Sequence, residues 1–118
     1  MEKLFLLTPD FIDGNIDSDG IRYYCMDCAM IEGVLNYYPE LEKVLEINYV
    51  DFKRPRKAVV ELIGDENQGC PVLIIENNED DGVDKSYFKS FGNALFINSS
   101  ALIARYLSEK YGIGIAHP

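Results

Sequence analysis

Basic residues, histidine, cysteine and long apolar runs are what this sequence has least of. Eleven Lys and Arg stand against twenty Asp and Glu, a net charge of -9. Phosphate backbones and anionic membrane surfaces are repelled by such a chain, so neither nucleic acid nor membrane is an expected partner. The one histidine, His117, sits next to the last residue, which leaves Ser-His-Asp and Cys-His catalytic arrangements without their base. No apolar run approaches the roughly 20 residues of a membrane span. The opening Met1-Glu2-Lys3-Leu4-Phe5-Leu6-Leu7-Thr8-Pro9 turns polar after Leu7, too early for a secretory leader. Three cysteines are too few for a secreted disulfide scaffold, and two of them form Cys25-Met26-Asp27-Cys28. In a chain expected in the cytoplasm, such a pair reads as redox or metal chemistry.

What is present suffices for a core. The chain has 118 residues, 47% of them hydrophobic, and residues 1–118 read as one globular α/β domain needing no metal or disulfide staple. Lys3 to Leu7 is an apolar run ended by Thr8-Pro9, the pattern of a buried first strand. Asp10 to Gly20 is rich in Asp and Gly and reads as a turn-rich loop. Ile31, Val34, Leu35 and Tyr38 recur at helical steps after Cys28, and Pro39 ends that helix. Leu45, Ile47 and Tyr49 alternate with polar residues, which predicts an edge strand. Pro55 is expected in the first turn of a second helix, with Val59, Leu62 and Ile63 as its apolar stripe and Gly64 as its end.

Val72-Leu73-Ile74-Ile75 predicts a central strand, followed by the acidic stretch Glu76 to Gly82. Ala94-Leu95-Phe96-Ile97 predicts the fourth strand. Asn98 or Ser99 caps a last helix with Leu102, Ile103, Tyr106, Leu107 and Tyr111 buried and Gly112 at its end. The expected order is β-α-β-α-β-β-α: a four-stranded mixed sheet, parallel in its first β-α-β unit, with helices on both faces.

Cys25 falls where the first helix begins. A helix N-terminus offers partial positive charge and unpaired N–H groups to a thiolate, which makes a cysteine there the expected nucleophile. Cys28, one turn further in and facing the core, is the expected resolving thiol. Asp27 opposes the helix dipole and Arg22 supports it, so a moderately acidic Cys25 is expected, nearer a reductant than a strong oxidant. The plain alternatives are half of a zinc knuckle or two ordinary thiols.

The succession of a strand, a Cys-x-x-Cys helix, a strand, a helix, Pro71-Val72-Leu73 and a last helix with Ser100, Ile103, Tyr106 and Leu107 resembles a thioredoxin-like fold of the glutaredoxin and glutathione-transferase N-terminal type. More narrowly, Tyr24-Cys25, Cys28-Ala29, Ile31-Glu32-Gly33, Pro55-Arg56, Glu66-Asn67-Gln68, Pro71-Val72-Leu73 and His117-Pro118 resemble a small family of uncharacterised thioredoxin-like proteins, a domain of unknown function. The wider resemblance implies that Pro71 is cis beside the active cysteine and that Cys70, just before it, pairs its backbone with a bound thiol peptide. It also implies that Ser99-Ser100 corresponds to the pair holding the γ-glutamyl group of glutathione. The acidic or amide member of that pair is missing here, so glutathione is a possible but weakly held ligand. The chain ends after this helix, so a complete glutathione transferase is not expected.

On this reading the function is a thiol–disulfide oxidoreductase or redox sensor, with Cys25 and Cys28 catalytic. Tyr24, Arg22, Cys70, Pro71, Ser99 and Ser100 are the expected substrate-binding residues, and the expected partner is a thiol peptide or protein disulfide. Two alternatives stay open: a noncatalytic thioredoxin-like binding module, and a metal site made by Cys25, Cys28 and Cys70 with His117 as a fourth ligand. Three other features have plain readings. Asn15-Ile16-Asp17-Ser18-Asp19-Gly20 copies the first half of a calcium loop, but Met26 stands where the bidentate Glu belongs, so an Asp-rich turn is expected. Lys53-Arg54-Pro55-Arg56-Lys57 is a solvated helix end, a rim for carboxylates or an address signal. Gly33, inside a helix, is expected where helix and sheet approach closely.

Overall fold

The computed structural model describes residues 1–17 and 19–118. Ser18, and with it the calcium-loop reading of Asn15 to Gly20, lies outside the described residues. Strand β1, Glu2–Leu7, is buried on both faces. It pairs in parallel with β4, Leu45–Val50, and antiparallel with β5, Val72–Ile75. The continuous apolar runs at Leu4 to Leu7 and Val72 to Ile75 are what an interior strand requires, because neither of its faces meets water. The alternating sequence of β4 leaves it at the sheet edge, as expected.

The sheet has five strands, not the four expected. Its order is β4-β1-β5-β7-β6, with β6 at Lys89–Phe91 and β7 at Ala94–Ile97. All three residues of β6 are exposed, so no apolar signal marks it. The signal for it is the two-residue turn Gly92-Asn93, with Gly92 at φ 56, which joins β6 to β7 as a hairpin. A second missed pairing joins β2, Phe11–Ile12, inside the stretch Asp10 to Gly20 expected to be loop, with β3, Arg22–Tyr23, just after it.

Helices cover both faces. Helix α1, Met26–Tyr37, and α3, Ser100–Tyr111, pack Cys28, Ile31, Leu35, Ile103, Tyr106 and Leu107 against Leu4, Leu6, Leu73 and Ile97. On the other face α2, Lys57–Ile63, packs Val59 and Ile63 against Phe5, Val72, Ile74 and Phe96. Apart from Leu7, which joins Leu4 and Leu6, the odd and even residues of the central strands thus separate into two cores. Ser99 caps α3 by accepting the Leu102 N–H at 3.3 Å, and Gly112 ends it in the left-handed region.

Two expectations about α2 and α1 fail. Pro55 lies outside α2, which begins at Lys57 after Arg56, and the Arg54–Pro55 bond is cis. A Cβ added at Gly33 would meet nothing within 4 Å, so close helix–sheet approach is not why glycine stands there. No helix of the described residues is long and apolar enough to cross a membrane.

Candidate functional site

The first turn of a helix leaves N–H groups without carbonyl partners. At α1 the sulfur of Cys25 fills that role: its Sγ accepts the Cys28 N–H at 3.2 Å, and the Cys25 carbonyl accepts the Ala29 N–H at 2.9 Å. The same Sγ–H donates toward the Cys70 carbonyl at 3.7 Å. Cys25 is half-buried, reachable from solvent and touched by backbone dipoles on two sides.

Cys28 is 3% exposed, and its Sγ accepts the Leu7 N–H of β1 at 3.5 Å. Burial, with a smaller push from the hydrogen bond to Cys25, raises its thiol to about 12. Burial raises the Cys70 thiol to about 11, against the opposing Arg56 charge. At neutral pH both are therefore protonated. All three cysteines are free.

Cys70 and Pro71 enter β5, and the bond between them is cis, as the resemblance implies. The loop before them is held by a residue whose role the sequence did not reveal. Arg56 is 7% exposed, and its guanidinium donates to the Phe52 carbonyl at 2.7 and 3.1 Å and to the Gln68 carbonyl at 2.6 Å. Gln68 returns the contact by accepting the Arg56 N–H at 2.7 Å, and its carbonyl also accepts from the Cys70 thiol at 3.8 Å. Arg56 is therefore not a solvated helix end: it is buried, and three of its five N–H donors go to the backbone carbonyls of Phe52 and Gln68.

A cavity of about 310 Å³ opens beside Cys25 and Cys28. Leu7, Pro9 and Ala29 give it apolar walls, Tyr24 and Tyr49 line it with aromatic rings, and Asp10 and Glu32 bring carboxylates to it. Glu32 lies one helical turn beyond Cys28 on α1, a spacing that puts the two on one face. Its Oε1 accepts the Tyr49 hydroxyl of β4 at 2.7 Å. Asp10, Glu32 and Tyr49 are the lining residues that the sequence reading did not single out. The helical spacing from Cys25 and Cys28 is the signal for Glu32; Tyr49 arrives through the pairing of β4 with β1 and Asp10 through the loop after β1, and neither carries one.

The expected site residues divide into two sets. Tyr24 shares the cavity with both thiols, and Cys70 meets Cys25 through its carbonyl, with Pro71 next to it. Arg22 is exposed on the β2–β3 hairpin and lines none of this cavity. Ser99 is spent on capping α3. Ser100 donates to Asp27 Oδ1 at 3.2 Å, tying the N-terminus of α3 to that of α1. Among the described residues no three His, Cys, Asp or Glu side chains are arranged to hold a metal ion, His117 and the three cysteines included.

The family model described as "Protein of unknown function (DUF3088)" matches residues 1–115. No curated protein and no solved structure matches the chain.

Proposed function

The chain belongs to the DUF3088 family, whose description assigns no activity, and from the site itself we propose a thiol–disulfide oxidoreductase or redox sensor. The observation that carries this reading is the position of Cys25: half-buried, capping α1 with its sulfur, beside an open cavity, with Cys28 one turn behind it. Cys25 as thiolate attacks a disulfide, forms a mixed disulfide with one half and releases the other half as thiolate. Cys28 then attacks the Cys25 sulfur, giving up its proton, and releases the second thiol as the Cys25–Cys28 disulfide forms. Two electrons pass from the protein to the substrate, and a dithiol reductant returns them. The high pKa of buried Cys28 keeps it protonated until that second step.

The order β4-β1-β5-β7, with α1 and α3 on one face and α2 on the other, supports a thioredoxin-like reading of the fold. The cis Cys70–Pro71 bond beside Cys25 agrees with it. On this reading the Cys70 backbone and Pro71 form one wall of the site for a thiol peptide or protein disulfide. Glutathione is a poor fit, because Ser99 stands where an acid or amide would hold its γ-glutamyl group and the Ser100 hydroxyl is donated to Asp27. Three cysteines, two of them a Cys-x-x-Cys pair, are too few for a secreted disulfide scaffold, which supports a cytoplasmic location.

The test is a thiol titration of the native chain and of Cys25→Ser. Cys25 should react first with a disulfide reagent and pass on to a reversible Cys25–Cys28 bond, and the substitution should remove both events. Equal, slow reaction of Cys25, Cys28 and Cys70 would overturn the redox reading and favour a noncatalytic binding module.

A further inference from the structure

The cavity beside Cys25 has a one-sided charge. Asp10 and Glu32 line it, and no Lys, Arg or His does. A second cavity of about 520 Å³ shares Glu32 and Tyr49 with the first and continues between α1 and the edge strand β4. It adds Glu42 and again has no basic residue in its lining. The basic residues Lys53, Arg54 and Arg56 line a separate cavity beside the β2–β3 hairpin.

The two carboxylates beside the thiols are exposed and uncompensated, and one of them is held in place. Glu32 is oriented by the Tyr49 hydroxyl at 2.7 Å. Asp10 is the one non-glycine residue at positive φ among the described residues, 64°, directly after Pro9. Neither takes part in an ion pair, although six such contacts within 4 Å occur elsewhere in the described residues. An apolar pocket lined by two unpaired carboxylates, one of them oriented by Tyr49, beside a nucleophilic sulfur favours an apolar stem with a cationic head and disfavours an anion.

We propose that the partner of this site is a cationic thiol or disulfide, a peptide or protein cysteine flanked by Lys or Arg, selected by Asp10 and Glu32. This rests on the thiol–disulfide reading of the same site. The cysteine side chain enters beside Cys25, and the flanking ammonium or guanidinium meets Glu32 or Asp10. A second basic residue of an extended peptide meets Glu42, in the 3-10 turn Pro39–Lys43 that follows α1. Glutathione disulfide, which carries net negative charge, is selected against by the same groups.

The experiment uses the Cys28→Ser chain, so that the first mixed disulfide persists. Two short peptides are compared, one with Lys on both sides of its cysteine and one with Glu, each activated as the mixed disulfide with 5-thio-2-nitrobenzoate. Attack by Cys25 on the peptide sulfur forms the protein–peptide disulfide and releases the coloured thiolate, whose absorbance gives the rate. At low ionic strength the Lys peptide should react at least about tenfold faster than the Glu peptide. Asp10→Asn with Glu32→Gln should remove most of that ratio. Both replacements are mild, since Asn tolerates the left-handed backbone and Gln still accepts from Tyr49. The control Glu61→Gln with Glu79→Gln removes the same charge at exposed positions outside both cavities and should leave the ratio in place. Equal rates for the two peptides, or a ratio that falls alike in both double variants, overturns the proposal and leaves the oxidoreductase standing. Reaction with neither peptide overturns the oxidoreductase and the proposal with it.

Discussion

Glu2 is the most constrained carboxylate of the molecule. It is 4% exposed, and it accepts hydrogen bonds from the Tyr106 hydroxyl and the Lys110 ammonium, each at 2.6 Å, and from the Tyr111 hydroxyl. Burial alone would raise its pKa, but the bonds from Lys110, Tyr106 and Tyr111 together outweigh burial and hold it below its ordinary 4.5. The sign of the linkage follows. Its contribution to stability is complete above about 4.5 and is lost as pH falls through the lower folded value. Glu2→Gln removes the charge while keeping the shape, leaves Lys110 partly buried without this partner, and should cost about 2–3 kcal/mol at pH 7. Urea midpoints at pH 6 and pH 3 check this: the native chain should lose more stability over that interval than Glu2→Gln. An equal loss in both would mean that Glu2 contributes nothing as an anion. In sequence Glu2 lies just before the apolar run Lys3 to Leu7, and nothing local marks its partners, which come from α3 more than a hundred residues away.

At the scale of elements, α1 carries a correctable weakness. Gly33 sits in its interior with no neighbour that a Cβ would strike, and glycine costs about 0.5–1 kcal/mol relative to alanine in a helix interior. Gly33→Ala should therefore raise stability by about that amount in urea denaturation, and a loss would show that the space around residue 33 is needed. Elements of this kind were legible where a local rule sufficed. Helical periodicity with Ser99, Gly64 and Gly112 as end signals marked α2 and α3, and continuous or alternating apolar runs marked β1, β5 and β4. Illegible were elements whose reason lies elsewhere in the chain. β6 is wholly exposed and exists because β7 offers it an edge. Arg56 looked like surface charge because its acceptors, the carbonyls of Phe52 and Gln68, are invisible in composition. The thiol pair was legible from spacing, since a helix start and two cysteines one turn apart suffice. Its acidic surroundings were not, because Asp10 and Tyr49 reach the cavity from two different loops and strands.

For the whole molecule the alkaline limit of stability combines two effects that salt can separate. Burial raises Cys28 to about 12 and Cys70 to about 11. Partial burial with the Glu32 hydrogen bond raises Tyr49 to about 12, and Tyr106 and Tyr111 are raised as well by burial and Glu2. Each of these groups is neutral when protonated, so a raised folded value means that the native chain holds its proton longer than the unfolded chain does. Their contribution is complete below the unfolded thiol value near 9 and is lost as pH rises toward 11 and 12. Cys28 alone gives up about 1.4 kcal/mol for each pH unit within that window. Superimposed on this is self-repulsion, because a chain already at -9 becomes more negative as lysines deprotonate. Self-repulsion between exposed charges is screened by salt, with a Debye length of about 10 Å at 0.1 M, whereas the buried-proton term is not. Chemical denaturation at pH 7 and pH 10.5, each in 0.05 M and 0.5 M salt, should show a large fall in stability at pH 10.5 that salt recovers only in part. The unrecovered part should shrink in Cys28→Ala when the two pH values are compared within that variant. Full recovery by salt would assign the alkaline loss to surface charge and remove the buried thiols from it.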